Sequence, residues 1–218
     1  MTLVLGVEEA GRGPVIGPLV VVGLLVDEDD EEKLRALGAK DSKMLTPKQR
    51  EGLFDKILKI AKQKKIFIIT PAEIDRAVNG EGGLNLNWLE AQKTIQMIDE
   101  LKPDKVIIDC PSNNIKAYNS YIESRTTHKC EIVAEHKADV NYPIVSAASI
   151  IAKVTRDREI AKIQQKIKEP IGSGYPADPI TAEFLKKHHK KYPEIFRKSW
   201  QSYISQIQEK KQKKLGDF

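Results

Sequence analysis

The stretch that decides the fold is Leu3-Val4-Leu5-Gly6-Val7-Glu8-Glu9-Ala10-Gly11-Arg12-Gly13-Pro14. Its apolar, β-branched start predicts a short buried strand. Neighbouring residues of a strand point to opposite faces, so Glu8 and Glu9 are not both expected to face the core. A buried carboxylate needs a counter-charge, for which the nearby arginine and a bound cation are the candidates. A second apolar run, Val15 to Val26, predicts a hairpin with residues 11–14 in the turn.

The composition bounds the class of protein. A chain of 218 residues suits one domain of ordinary size with a real core. A net charge of +5 fits a polyanionic partner, and it fits an ordinary charged surface equally well. Cys110 and Cys130 lack metal-ligand spacing and are expected to be reduced core residues of a cytoplasmic protein. We see no signal peptide and no membrane span, since a span needs about 20 apolar residues.

Two further strands carry acidic residues at or after their ends. The run Lys105–Asp109 predicts a strand with a carboxylate at its carboxyl end, where ligands bind in open α/β sheets. The run Glu131–Ala134 predicts a strand that leads into the segment 135–139, which ends in Asp139. His136 in this segment is interpreted as a hydrogen-bonded structural histidine. A helix is expected from Pro143, and its small residues should allow close approach to the sheet.

The remaining elements follow from local start and stop signals. Thr46 and Pro47 predict the start of a helix that continues to about Lys62. Helices are also expected near Lys33–Leu37, from Pro71, over Asn85–Leu101, from Thr181, and finally to about Gln208, and a strand over Lys65–Thr70. Trp200 and Tyr203 are expected to pack in the final helix.

The chain contains the following motifs in order: Glu9–Pro18, Asp41-Ser42-Lys43, His136–Asp139 with Ser146–Lys153, and the turn Gly172–Pro179. In this order they resemble the type 2 ribonuclease H family (ribonuclease HII), which cuts RNA embedded in DNA. Together they extend over nearly the whole chain, from Gly6 to Trp200. The chain departs from the family at Glu8, where the family has aspartate.

The resemblance implies an α/β fold of the ribonuclease H type. This fold has a five-stranded mixed sheet with flanking helices, followed by a helical C-terminal segment. We therefore expect a catalytic core at residues 1–170, a helical segment at 171–208 and a flexible tail at 209–218.

The resemblance also implies the site. The catalytic and metal-binding residues would be Glu8, Glu9, Asp109 and Asp139. Carboxylates in this number, with no nucleophilic serine or cysteine constellation, suit Mg²⁺ or Mn²⁺, and two ions could hold a phosphodiester between them. Substrate binding is expected from Gly11, Arg12, Gly13, Lys43, Ser149, Lys153 and Tyr175. The glycine turn would probe the ribose 2′-hydroxyl, and Tyr175 would pack on the sugar at the RNA–DNA junction.

The tail resembles the clamp-binding motif of replication enzymes, Gln-x-x-aliphatic-x-x-aromatic. Gln212, Leu215 and Phe218 match it, although the usual second aromatic residue is missing. We interpret the tail as a docking segment for a PCNA-type sliding clamp, with a disordered tail as the alternative.

The resemblance predicts a monomeric endoribonuclease acting on RNA/DNA hybrids and on duplex DNA that contains ribonucleotides. It would cut 5′ of even a single ribonucleotide, leaving 5′-phosphate and 3′-hydroxyl ends. Two alternatives stay open. Glu8 raises the possibility of a junction-binding protein with impaired catalysis, tethered to the clamp. Another nuclease with a ribonuclease H fold, such as a resolvase, is the second alternative.

Overall fold

The computed structural model describes residues 2–38 and 44–215, with side chains described as far as Gln208. Its strands are β1 (Leu3–Ala10), β2 (Leu19–Asp27), β3 (Gln63–Ile69), β4 (Lys105–Asp109) and β5 (Glu131–Glu135). Its helices are α1 (Glu31–Ala36), α2 (Pro47–Ile60), α3 (Pro71–Val78), α4 (Leu86–Leu101), α5 (Ile115–Glu123), α6 (Ala138–Asn141), α7 (Pro143–Ile167), α8 (Pro179–His188) and α9 (Gln201–Leu215).

The five strands form one mixed sheet in the order β3-β2-β1-β4-β5. β1 pairs with β2 antiparallel, and it pairs with β4 parallel, as β4 does with β5. The parallel register places Val7 opposite Ile108, and Asp109 opposite Glu135. The carboxyl ends of β1, β4 and β5 therefore meet at one edge, as the α/β fold predicted from the sequence requires.

Helix α7 packs closely on the sheet because the residues on both contacting surfaces have small side chains. A side chain at Gly6 of β1 would lie 2.8 Å from the backbone carbon of Ile144, so only glycine fits there. On the helix, Ala147, Ala148 and Ala152 are fully buried. The predicted close approach of this helix is thereby confirmed.

The chain divides into two compact units, each made of three separate segments. The first unit comprises Met1–Ala10, Val20–Ile68 and Leu86–Thr155. Its core joins the apolar residues of β1, β2 and β4 to the first half of α7. The second unit comprises Gly11–Leu19, Ile69–Asn85 and Arg156–Phe218. Its core includes Phe184, Phe196 and Tyr203, with Trp200 packed against it. Tyr203 packs from the final helix α9 as expected, whereas Trp200 lies one residue before α9 begins.

The connection between β1 and β2 differs from the predicted tight hairpin. β2 begins at Leu19 instead of Val15, because Val15 and Ile16 leave the sheet and join the core of the second unit. There the Val15 and Ile16 amides donate to the Gly174 carbonyl oxygen at 2.8 and 3.3 Å.

The other predicted elements begin within a few residues of their expected starts, whereas helices α5 and α6 were not predicted. Helix α9 continues to Leu215, past the expected end near Gln208. Helix α5 was not predicted, although the Asn114 side chain caps it by accepting a hydrogen bond from the Ala117 amide at 3.0 Å. Cys110 is buried and Cys130 half-buried, and both are free thiols. In the part of the chain that the structure describes, every helix is too short or too polar to cross a membrane.

Candidate active site

Three carboxylates converge at the carboxyl edge of the sheet in the first unit. Glu8 is on β1, Asp109 ends β4, and Asp139 is on α6, which follows β5. One ligand oxygen from each of the three lies within 4.8 Å of the other two. A set of three hard oxygen donors at this spacing is suited to a divalent cation such as Mg²⁺ or Mn²⁺.

The Glu8 side chain is only 7% exposed and folds over onto the backbone of its own strand. Its Oε2 accepts a hydrogen bond from the Glu9 amide at 2.8 Å, and its Oε1 accepts one from the Ser149 hydroxyl at 3.3 Å. Burial raises the pKa of Glu8 well above its usual value, and the neighbouring carboxylates of Glu9 and Asp109 raise this pKa further. A bound cation would offset both effects, so the electrostatics of the site favour metal binding.

Asp109 fixes the turn that carries the third carboxylate. Its Oδ1 accepts hydrogen bonds from the amides of Lys137 and Ala138 at 2.9 and 3.3 Å. Lys137 has a left-handed backbone, with φ of 62°, and it forms the N-cap of the short helix α6. Asp139 then lies buried in the first turn of this helix. The position of Asp139 therefore depends on a hydrogen-bonded contact with another carboxylate of the same cluster.

Two polar residues of α7 extend the cluster. Lys153 Nζ donates to Ser149 Oγ at 2.6 Å, and Ser149 Oγ donates to Glu8. Ser149 is fully buried, and Lys153 is half-buried. Both were predicted as substrate contacts, and the structure connects them to Glu8 through this chain of hydrogen bonds.

Glu9 is close to this cluster without being part of the set of three. Its side chain is half-buried while that of Glu8 is buried, in line with the alternation expected for neighbouring strand residues. Its carboxylate is near enough to raise the pKa of Glu8. A role for Glu9 as a metal ligand stays a prediction.

The glycine-flanked loop and the predicted tyrosine lie together in the second unit. The Tyr175 ring is 43% exposed, and its Cε1 would lie 3.4 Å from a Cβ atom built on Gly13. The Arg156 guanidinium lies 5.2 Å from the centroid of the Tyr175 ring and donates to the Ser173 carbonyl at 3.0 Å. Gly11 has φ of 91°, and a Cβ atom there would lie 2.6 Å from Arg156 Cδ. The loop thus needs glycine at position 11 for its conformation and for its packing on Arg156.

A family model for ribonuclease HII matches residues 5–203. The chain belongs to the ribonuclease HII family. It is therefore an endoribonuclease, as the sequence motifs predicted.

Relatives of known name and structure agree with this family assignment. A ribonuclease HII of Pyrococcus horikoshii is 48% identical over 91% of this chain and 90% of that protein. The crystal structure of ribonuclease H2 from Pyrococcus horikoshii has a TM-score of 0.86 at 45% identity, covering 95% of this chain and 98% of that one. A structure of the PCNA:RNase HII complex from Archaeoglobus fulgidus has a TM-score of 0.77 at 40% identity, covering 85% and 86% of the two chains. The ribonuclease H-like fold is thereby confirmed.

Some predicted residues fall outside the described part of the chain. Lys43 lies between the two described ranges, and Phe218 lies beyond the second one. Gln212 and Leu215 belong to the last part of α9, after Gln208, where only the backbone is described. Their roles stay predictions.

The sequence reasoning missed two buried arginines of this ribonuclease HII, Arg156 and Arg197. Arg156 packs between Gly11 and the Tyr175 segment, where burial lowers the pKa of its guanidinium. Arg197 contacts the same glycine-flanked loop from the C-terminal segment. Neither residue carries a local signal: Arg156 stands beside Asp157 and Arg158 on a predicted helix, where charged residues are typical of a solvated surface, and Arg197 lies where no element is predicted.

Proposed function

We propose that this ribonuclease HII hydrolyses the RNA strand of RNA/DNA hybrids and also incises duplex DNA 5′ of a single ribonucleotide. The observation that carries the proposal is the carboxylate cluster of Glu8, Asp109 and Asp139, whose ligand atoms lie within 4.8 Å of one another. No nucleophilic serine or cysteine is required, since the attacking group in such hydrolysis is water.

The cofactor that fits this cluster is a divalent cation, Mg²⁺ or Mn²⁺. Glu8, Asp109 and Asp139 would hold it, with Glu9 as a further ligand when two ions bind with the substrate. Two such ions would supply activation of the attacking water and charge stabilisation of the leaving 3′ oxygen. Hydrolysis in this manner leaves a 5′-phosphate and a 3′-hydroxyl.

The chain's own groups keep the carboxylates oriented for this task. The amides of Lys137 and Ala138 hold one oxygen of Asp109, so its other oxygen is the better placed to bind a cation. Such support matters because catalysis by positioning is sensitive to shifts of about 1 Å.

Selection of the ribonucleotide is assigned to the second unit. Gly11 to Gly13 form a loop of small residues in which backbone groups can approach a sugar closely. The exposed Tyr175 ring, supported by Arg156, offers a flat apolar surface for the next sugar. A deoxyribose fits such a surface better than a ribose, because burying an unpaired hydroxyl is costly.

The proposed protein partner is a PCNA-type sliding clamp, bound through Gln212, Leu215 and Phe218. The sequence motif supports it, and so does the 40% identical Archaeoglobus fulgidus relative, whose structure is that of a PCNA:RNase HII complex.

The test is cleavage of a DNA duplex that contains one ribonucleotide, run in parallel with Mg²⁺ and with Mn²⁺. We expect a single incision 5′ of the ribonucleotide, no cleavage of the all-DNA duplex, and loss of activity in Asp139→Asn. Binding without cleavage in either metal would favour the junction-binding alternative. Cleavage of branched, ribonucleotide-free DNA would favour a resolvase-like activity.

A further inference from the structure

A buried arginine of the C-terminal segment holds the glycine-flanked loop in the second unit. The Arg197 guanidinium donates to three carbonyl oxygens, those of Gly11 at 2.6 Å, Arg12 at 3.0 Å and Gly17 at 3.0 Å. The Arg197 amide also donates to the Val15 carbonyl at 2.9 Å. Trp200 adds a bond from its Nε1 to the Gly13 carbonyl at 3.1 Å. Three consecutive carbonyls, from Gly11 to Gly13, are therefore bound by two side chains of one short segment.

These bonds fix the direction of the amides in the loop. The described residues contain no cis peptide bond, and in a trans peptide the C=O and N–H groups point in opposite directions. The Gly11 carbonyl shares its peptide plane with the Arg12 amide, and the Arg12 carbonyl shares its plane with the Gly13 amide. Since both carbonyls point towards Arg197, the amides of Arg12 and Gly13 point away from it, side by side.

Burying an arginine at this position destabilises the protein unless the guanidinium makes well-directed hydrogen bonds. Arg197 is 0% exposed, and removing a charge from water is repaid only by several well-directed hydrogen bonds. A planar guanidinium can reach three carbonyls at fixed angles, whereas a lysine ammonium is a single point charge on a flexible stem. An apolar residue of similar volume would fill the same space, yet it would leave the loop carbonyls without these donors.

We propose that Arg197 is a positioning residue for sugar discrimination. It aims the Arg12 and Gly13 amides as a pair of donors at the 2′ oxygen of the ribonucleotide. A deoxyribonucleotide offers no acceptor at that place, so the two donors would lose their partner and the site would reject it. This inference rests on the proposed function, and it adds the residue that makes the loop selective.

The experiment compares binding of two duplexes by fluorescence anisotropy, in EDTA so that no cleavage occurs. One duplex contains a single ribonucleotide and the other is all DNA. In Arg197→Lys we expect the preference for the ribonucleotide to fall about tenfold, the equivalent of one or two hydrogen bonds. Affinity for the all-DNA duplex should stay unchanged. The control is Arg125→Lys, an exposed arginine that stacks on Tyr121 in the first unit, and it should keep the full preference.

A third duplex with a 2′-fluoro sugar isolates the acceptor, because fluorine accepts hydrogen bonds poorly. The unmodified protein should lose affinity on this change, and Arg197→Lys should lose little more. Equal losses of affinity for all three duplexes in Arg197→Lys would show a purely structural role and overturn the inference. If Arg197→Lys does not fold, Trp200→Phe replaces it, and an unchanged preference there would also overturn it. Absence of any preference in the unmodified protein, with no incision in the cleavage assay, would instead remove the proposed function on which the inference depends.

Discussion

Replacing Glu8 by aspartate tests how the carboxylate cluster tolerates the longer side chain. The resemblance described above sets an aspartate where this chain has Glu8, and the extra methylene lengthens the reach by about 1.5 Å, one carbon–carbon bond. A displacement of that size at a reacting centre can cost about 10²-fold in rate. The structure offsets part of this loss of rate, because the Glu8 side chain is folded so that one ligand oxygen still lies within 4.8 Å of those of Asp109 and Asp139.

The remaining loss of rate is expected from the hydrogen bonds that hold the Glu8 side chain in this folded conformation. Both Glu8 oxygens accept hydrogen bonds, from the Glu9 amide and from Ser149, and these bonds compete with a cation for the same lone pairs. Loss of one such bond to a charged group corresponds to about 1.5–3 kcal/mol, and about 1.4 kcal/mol changes a rate tenfold. We therefore expect Glu8→Asp to cleave about tenfold faster than the unmodified protein in Mg²⁺. The gain should be smaller in Mn²⁺, because Mg²⁺ demands the more regular octahedral geometry.

The assay is single-turnover cleavage of a duplex with one ribonucleotide, by both proteins in each metal. Glu8→Gln is the matched control: it keeps the length of the side chain but removes its charge, and it should abolish cleavage in both metals. An aspartate variant that is equally fast or slower in Mg²⁺ would mean that the site has adapted to glutamate, and the reasoning above would be refuted.

Three further predictions concern separate parts of the chain. Tyr175→Ala should lower kcat/KM on a lone ribonucleotide at least about tenfold, the value of one stacking contact, whereas Tyr175→Phe should retain it; equal rates in all three proteins would exclude Tyr175 from the mechanism. Deletion of residues 212–218 should abolish PCNA binding in calorimetry and leave clamp-free cleavage intact, and undiminished affinity would contradict the clamp proposal. Burial of Asp99 raises its pKa, but hydrogen bonds from Thr126, Thr127 and His128 outweigh this and lower the pKa from 3.8 to about 2. The Asp99 carboxylate therefore stabilises the fold above pH 4, and this stabilisation is lost as the pH falls through 2. Asp99→Asn should therefore cost about 1–2 kcal/mol in urea unfolding at pH 7, after allowance for solvent screening, and almost nothing at pH 2.

The elements that carry strong local signals could be predicted from the sequence. Strand β4 has the expected bounds, because an apolar run ending in aspartate is unambiguous at this length. Helix α2 begins at Pro47 with a capping box at Thr46, a pattern confined to four neighbouring residues. Helix α5 had a comparable signal in Asn114 and in the spacing of Tyr118 and Ile122, and this signal was overlooked.

The site could be predicted only in part, because its geometry depends on contacts between distant segments. The strand ends alone bring Glu8 and Asp109 to one edge of the sheet. Asp139 reaches them only through the left-handed turn at Lys137, which periodicity does not reveal. Arg197 lies 186 positions from Gly11, and no pattern within one window of sequence could have joined them.

The contact of Arg197 with the glycine-flanked loop has a consequence for chimaeric enzymes and for sequence divergence in the family. The loop and its guanidinium support are 186 positions apart in the sequence, yet hydrogen bonds join them, and under the proposal they act together. A chimaera that takes its C-terminal segment from another member of the family should keep its sugar preference only if residues 11–19 come from the same parent. Substitutions in either segment should accordingly be constrained by the sequence of the other.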